Sequence, residues 1–157
     1  MKEVKAVLDK IFKEKLRENI LLRQKRIDGR GIEDIREIQI KLNPIPRVHG
    51  SSMFMRGETQ ILNILTLSAP GNEQIIEALE GESLKRYIHH YNAPPYSVGE
   101  VGRYGGAGRR EIGHGALAEK ALKPVIPPQS EFPYVIRLVS EVMGQNGSSS
   151  MASTCAS

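Results

Sequence analysis

The 157-residue chain reads as an α+β fold. Two periodicities coexist in it. An apolar repeat of three to four residues occupies the N-terminus, and several runs of near-alternating polarity follow. Between those runs stand clusters of glycine and proline that end strands and turn hairpins. The length is about that of one domain with its own core.

The elements follow in chain order. Val4, Val7, Leu8, Ile11, Leu16 and Ile20 recur close to the helical period, so residues 3–23 form an amphipathic helix. Asp28-Gly29-Arg30-Gly31 breaks it as a loop. Residues 35–42 alternate, which predicts a strand with one wet face, and Pro44 and Pro46 end it. Residues 51–56 and 59–67 form two strands around a Gly57-Glu58 hairpin turn, and Gly71-Asn72 marks another turn. Residues 84–91 read as a further strand, and Asn92 to Arg110 as a glycine-rich loop. Glu111 to Leu122 reads as a helix stopped by Pro124, Pro127 and Pro128. Residues 134–142 form a strand with Ile136, Leu138, Ser140 and Val142 on one face. Met151 to Ser157 looks like a helix just beginning; a mean helix runs about eleven or twelve residues, so the chain reads as cut rather than finished. No internal repeat stands out.

Composition bounds the function. Hydrophobic residues make up 39% and charged residues 25%, as in ordinary globular proteins. No apolar run reaches the roughly eighteen residues that a spanning helix needs, so no membrane is expected. The N-terminal residues mix acids and bases, which excludes a secretory signal and argues against a transit peptide. The single cysteine, Cys155, has no internal partner and fits a reducing cytoplasm. The net charge is +4. Residues 1–30 hold ten Lys/Arg against five Asp/Glu, and the remainder twelve against thirteen. Any anion site in the body must therefore be built from a few placed arginines. No aspartate follows Asp34. Metal-assisted phosphoryl chemistry usually holds its ions with carboxylates, and the remaining glutamates form no metal motif.

Three motifs carry chemistry. Gly105-Gly106-Ala107-Gly108-Arg109-Arg110-Glu111-Ile112-Gly113-His114 combines close backbone approach with forked donors matched to phosphate oxygens. Glu111 suits a helix start and could pin an arginine. His114, four residues after Arg110, falls one helical turn on. The bland alternative is a surface turn with solvated arginines. Asn146-Gly147-Ser148-Ser149-Ser150, between a strand and a helix, gathers hydroxyls and N–H groups into an anion site; the bland alternative is a plain helix cap. Arg47-Val48-His49-Gly50-Ser51-Ser52 with Arg56-Gly57-Glu58-Thr59 is largely covered by turn-and-hairpin grammar. His89 and His90 fall on opposite faces of a strand, which disfavours a paired metal site. Neither anion motif is a P-loop, for the lysine is missing.

Six segments stand in one order: residues 27–30, 46–51, 56–60, His90-Tyr91-Asn92-Ala93-Pro94-Pro95-Tyr96-Ser97-Val98-Gly99-Glu100, Gly108 to Leu117, and Asn146 to Ser153. In that order the chain resembles the polynucleotide phosphorylase family, within its second ribonuclease-PH-like core. The resemblance places a helical linker segment at 1–26 and a partial core domain at 27–157. It implies an α+β ribonuclease-PH-like core of the ribosomal-protein-S5-domain-2-like, split β-α-β type, incomplete at the C-terminus. It implies 3′-to-5′ phosphorolysis of RNA, in which inorganic phosphate releases nucleoside diphosphates, with polymerisation in reverse.

By the same resemblance Ser148, Ser149 and Ser150 bind phosphate, Arg109 and Arg110 grip phosphate or the RNA end, and His114 lies nearby as a catalytic candidate. The family's Mg2+ or Mn2+ ligands are expected beyond Ser157, with none in this chain, which is therefore expected to be inactive alone. The implied partners are the 3′ end of single-stranded RNA, a homotrimer and RNA-degradosome components. The alternative is a non-catalytic ribonuclease-PH-like subunit that binds RNA or phosphate.

Overall fold

The computed structural model describes residues 2–157. The chain divides into two compact units, one ending at Arg36 and the other running from Glu37 to Ser157. That division falls later than the boundary at 26/27 drawn from the resemblance.

The first unit is α1 (Lys2–Arg23) and a tied loop. α1 buries none of its residues, and Val4, Val7, Leu8 and Ile11 of its apolar stripe are exposed. Gln24, in the left-handed region at φ 54°, ends it. In the loop Asp28 accepts from Arg30 Nε at 2.8 Å, Asp34 Oδ2 accepts from the Gly31 N–H at 2.6 Å, and Gly29 turns at φ 83°. The Arg30 guanidinium holds the Asp28 carboxyl below its usual range.

The second unit is a five-stranded sheet in the order β1-β2-β3-β7-β6. Its strands are β1 (Ile38–Leu42), β2 (Gly50–Arg56), β3 (Thr59–Ser68), β6 (Tyr87–Asn92) and β7 (Val135–Gly144). β6 is parallel to β7 and the other pairs are antiparallel. β7 inserts between β3 and β6. The connection from β6 to β7 carries α2 (Arg109–Leu122), and α3 (Ser149–Ala156) follows β7. α3 packs on β2 and β3, and α2 packs on β6 and on α3.

Alternation decides the core. Thr59, Ile61 and Asn63 of β3, Leu138, Ser140 and Val142 of β7, and Tyr87, His89 and Tyr91 of β6 are all buried. Phe54, Ile61, Tyr91 and Val142 meet Ala152 and Ala156 of α3 in one apolar cluster. Small residues on the helices permit this approach. A Cβ on Gly115 of α2 would lie 2.9 Å from the His89 carbonyl oxygen.

The structure corrects several boundaries. β1 starts at Ile38, not Ile35. The expected strand 84–91 is two strands, because the Arg86 guanidinium turns aside to donate to the carbonyls of Pro127 at 2.6 Å, Phe132 at 2.8 Å and Tyr134 at 3.1 Å. β5 (Gly81–Lys85) pairs instead with β4 (Gln74–Ala78) in a separate exposed hairpin turned at Leu79-Glu80, with Gly81 after the turn at φ 121°. The segment 92–110 is not all loop: a 3-10 turn spans Pro95–Val98, and α2 opens at Arg109. α3 begins at Ser149 rather than Met151.

The two histidines separate as alternation requires. His90 is exposed beside Arg137, whereas His89 is 4% exposed with Nε2 3.0 Å from Ser140 Oγ. Burial pushes the His89 imidazole down to about 4, against the opposing pull of Glu119. The folded state therefore binds fewer protons than the unfolded state between pH 4 and the ordinary value of 6.5. Stability rises with pH across that window and is lost as pH falls through it. The expected change is on the order of 3 kcal/mol. Urea denaturation of wild type and His89→Gln at pH 4.5 and 7 checks this, since the substitution should remove most of the extra slope.

Candidate functional site

The site is the junction between β7 and α3, with the first turn of α2 beside it. Where β7 ends, Gly144 lies so close to the β2–β3 turn that a Cβ would meet the Glu58 carbonyl oxygen at 2.9 Å. The same turn holds the next residues. Asn146 donates from its N–H to Thr59 Oγ1 at 3.0 Å and from Nδ2 to Glu58 Oε2 at 3.2 Å. Arg56 Nη2 donates to the Gly147 carbonyl at 2.8 Å. Because a trans peptide is planar, drawing that carbonyl toward Arg56 turns the Ser148 N–H the opposite way.

Gly147 (φ 77°) and Ser148 (φ 50°) then lie successively in the left-handed region and reverse the chain into α3. Only glycine takes that conformation without cost; for serine it costs about 1–2 kcal/mol, held here by the bonds just described. The N–H groups of Ser149, Ser150 and Met151 have no carbonyl within α3 to donate to, and the helix dipole adds partial positive charge. The serines differ. Ser148 is exposed and makes no side-chain cap. Ser149 is buried, its hydroxyl between Tyr91 Oη at 2.7 Å and Gln145 Oε1 at 3.2 Å. Ser150 is half-buried.

Arg109 and Arg110 are both exposed in the first turn of α2. Glu111 does not pin either of them: its Oε2 accepts from the Gly108 N–H at 3.0 Å and so caps its own helix. Arg110 Nη2 instead donates to Gln145 Oε1 at 3.0 Å. His114, one turn on, stacks edge-on to the Tyr91 ring with centroids 5.0 Å apart, and its Nδ1 is buried with no partner among the described residues. Burial also raises the Tyr91 phenol, which stays a protonated donor. Thus Arg110, His114 and Ser149 are joined through Tyr91 and Gln145. Beside them lies a cavity of about 540 Å³ between Asn92–Pro95 and Arg103–Gly108.

The segment around His49 takes no part, since His49 Nδ1 accepts from the Leu67 N–H at 3.3 Å. Arg56 and Thr59, from the same motif, matter as supports. Sequence reasoning assigned no role to Tyr91, Ser97 or Gln145. The inward face of 87–91 was a signal for Tyr91, and nothing in the pattern pointed to Gln145.

A divalent ion does not fit this set. Among the described residues no three His, Cys, Asp or Glu side chains gather as ligands, and the donors at the α3 start are N–H groups and a guanidinium.

The model of the 3′ exoribonuclease family, domain 1, matches residues 34–157. The chain belongs to that family. Among curated relatives it is 55% identical over 156 residues to the polyribonucleotide nucleotidyltransferase of Natranaerobius thermophilus, covering 99% of this chain and 22% of that protein. It is 57% identical over 156 residues to that of Corynebacterium diphtheriae, covering 99% and 21%. The chain thus spans about a fifth of the relatives it matches, and the resemblance to polynucleotide phosphorylase is borne out. Solved structures agree on the fold. The Archaeoglobus fulgidus exosome with RNA bound to the active site superposes with a TM-score of 0.69 at 17% identity, covering 96% of this chain and 59% of that one. An archaeal exosome core gives 0.67 at 16%, covering 96% and 57%. The α+β ribonuclease-PH-like class stands. Among the described residues no helix is long and apolar enough to cross a membrane.

Proposed function

We propose that the chain supplies the phosphate-binding part of a 3′-to-5′ phosphorolytic exoribonuclease, in which inorganic phosphate attacks the terminal phosphodiester of single-stranded RNA. The products are a nucleoside diphosphate and a shortened RNA, and the reverse reaction polymerises diphosphates. The observation that carries this reading is that Arg110 and Ser149 share Gln145 Oε1, so the α2 arginine stands at the α3 N-terminus. There the N–H groups of α3 and the hydroxyls of Ser148 and Ser150 receive phosphate oxygens, and Arg110 neutralises them. Ser149 acts through its N–H, since its hydroxyl faces inward. Arg109 takes the RNA end, with His114 behind it. A homotrimer in the cytoplasm belongs to the same reading. The metal-dependent part of the chemistry belongs to segments that the longer relatives carry.

A second reading, a non-catalytic subunit that binds RNA or phosphate, draws on the lack of clustered carboxylates among the described residues. Both readings require the phosphate site. Titration calorimetry with inorganic phosphate should show binding by the wild type and at least about tenfold weaker binding by Arg109→Ala/Arg110→Ala, since charge-assisted bonds carry most of the affinity. Equal titrations of the two proteins would remove the site.

A further inference from the structure

We infer that Gln145 is the positioning residue of this site: a neutral clamp that fixes the Arg110 guanidinium at the start of α3 before any anion arrives. The inference rests on the phosphate-site reading, which uses Gln145 only as the point where Arg110 and Ser149 meet, and gives that residue a task of its own.

The hydrogen bonds fix the amide's orientation. Ser97, 5% exposed, has one hydroxyl proton, and it goes to the Pro94 carbonyl at 2.6 Å. Ser97 Oγ can therefore only accept from Gln145, 2.8 Å away, so the amide nitrogen faces Ser97. The Gln145 N–H also donates to the Ser97 carbonyl at 2.9 Å. Backbone and side chain together pin this residue to the 3-10 turn Pro95–Val98. Oε1 is left facing Arg110 Nη2 and Ser149 Oγ, at 3.0 and 3.2 Å. A guanidinium has donors only, so the opposite amide orientation would set N–H against N–H. Ser149 spends its proton on Gln145, and Tyr91 donates to Ser149. Each hydroxyl proton in the chain, on Ser97, Ser149 and Tyr91, has one place to go.

Two consequences bear on anion binding. Arg110 gives up one of its five N–H donors to the clamp and keeps the others for phosphate oxygens. Its partner is also uncharged. A carboxylate here would hold the guanidinium as well but cancel the charge that attracts phosphate, whereas an amide orients without neutralising. Holding a flexible arginine in its bound geometry beforehand lowers the ordering cost of binding.

The test is a thermodynamic cycle with inorganic phosphate as the probe, on the whole 157-residue chain, using wild type, Gln145→Met, Arg110→Ala and the double variant. Methionine keeps the shape and length and removes the polar atoms. Gln145→Met should weaken phosphate binding about tenfold, and the double variant should bind no more weakly than Arg110→Ala alone. Full additivity, or no effect of Gln145→Met where Arg110→Ala has one, overturns the clamp. If Arg110→Ala itself changes nothing, the part of the phosphate-site reading that puts Arg110 on the anion falls instead. Should Gln145→Met lower the thermal midpoint, the measurement passes to the Arg110 side-chain NMR signal of the wild type. A dispersed, slowly exchanging Nη resonance supports the clamp, and a fully averaged one overturns it.

Discussion

Replacing Tyr91 with alanine should lower the folding free energy by about 3–5 kcal/mol, the range for emptying an aromatic site in a packed core. Tyr91 is 2% exposed and lies among Phe54, Ile61, Val142, Ala152 and Ala156. The ring also receives the edge contact with His114, and the hydroxyl meets Ser149. Truncation therefore leaves a void between sheet and α3 and removes the phenol that donates to the buried Ser149 hydroxyl, which keeps its own bond to Gln145. Against the roughly 5–15 kcal/mol that holds a native domain together, such a loss leaves the second unit marginal or unfolded. Tyr91→Phe separates the two contributions: it keeps the ring and removes one hydrogen bond, for about 1 kcal/mol. Urea denaturation of the three proteins gives both numbers. A loss below about 1 kcal/mol for the alanine variant would mean that the core tolerates the void, and that Tyr91 does not join core to site.

How much of this was legible depends on where each signal lives. Hairpin grammar around Gly57-Glu58 placed β2 and β3, and alternation placed β7, whose Leu138, Ser140 and Val142 are buried between more exposed neighbours. The β4–β5 hairpin escaped because both strands are almost wholly exposed, so Ile75, Ile76 and Leu84 carry no inside-outside contrast. The break at Arg86 depends on carbonyls forty and more residues later, a tertiary effect that no local window holds. In the site, Arg109, Arg110 and the serines were visible as residue types suited to anions. Their assembly was not. It passes through Gln145 and Tyr91, two residues whose types suggest no phosphate chemistry, and through the αL turn at Ser148, where a side chain other than glycine gives no sequence cue. Glu111 shows the converse: a carboxylate next to two arginines looks like an ion-pair partner, yet the N–H of its own helix cap lies closer to hand.

The largest functional effect should come from Arg110. In a protein of the length of the curated relatives, Arg110→Ala should slow phosphorolysis of poly(A) by about 10²–10³, the loss typical of removing one preorganised electrostatic donor. The attacking phosphate and the scissile phosphodiester are both anionic, so bringing them together concentrates negative charge that must be compensated in place. On the proposed site the N–H groups of α3 would supply partial charges and Arg110 a full one, held by the bond its Nη2 donates to Gln145 Oε1 at 3.0 Å. A fall in kcat/KM for phosphate with little change in kcat would make the contribution one of ground-state binding, and a matched fall in both would place it in the transition state. The 157-residue chain alone should release no nucleoside diphosphate from poly(A), because its described residues gather no carboxylates that could hold a cation beside the two anions. Diphosphate release from poly(A), followed for the long wild type, its Arg110→Ala variant and the short chain, measures all of this. Should the long variant keep its rate within about threefold of wild type, less than 1 kcal/mol of barrier, Arg110 has no part in the chemistry, and the charge that meets phosphate must be sought in Arg109.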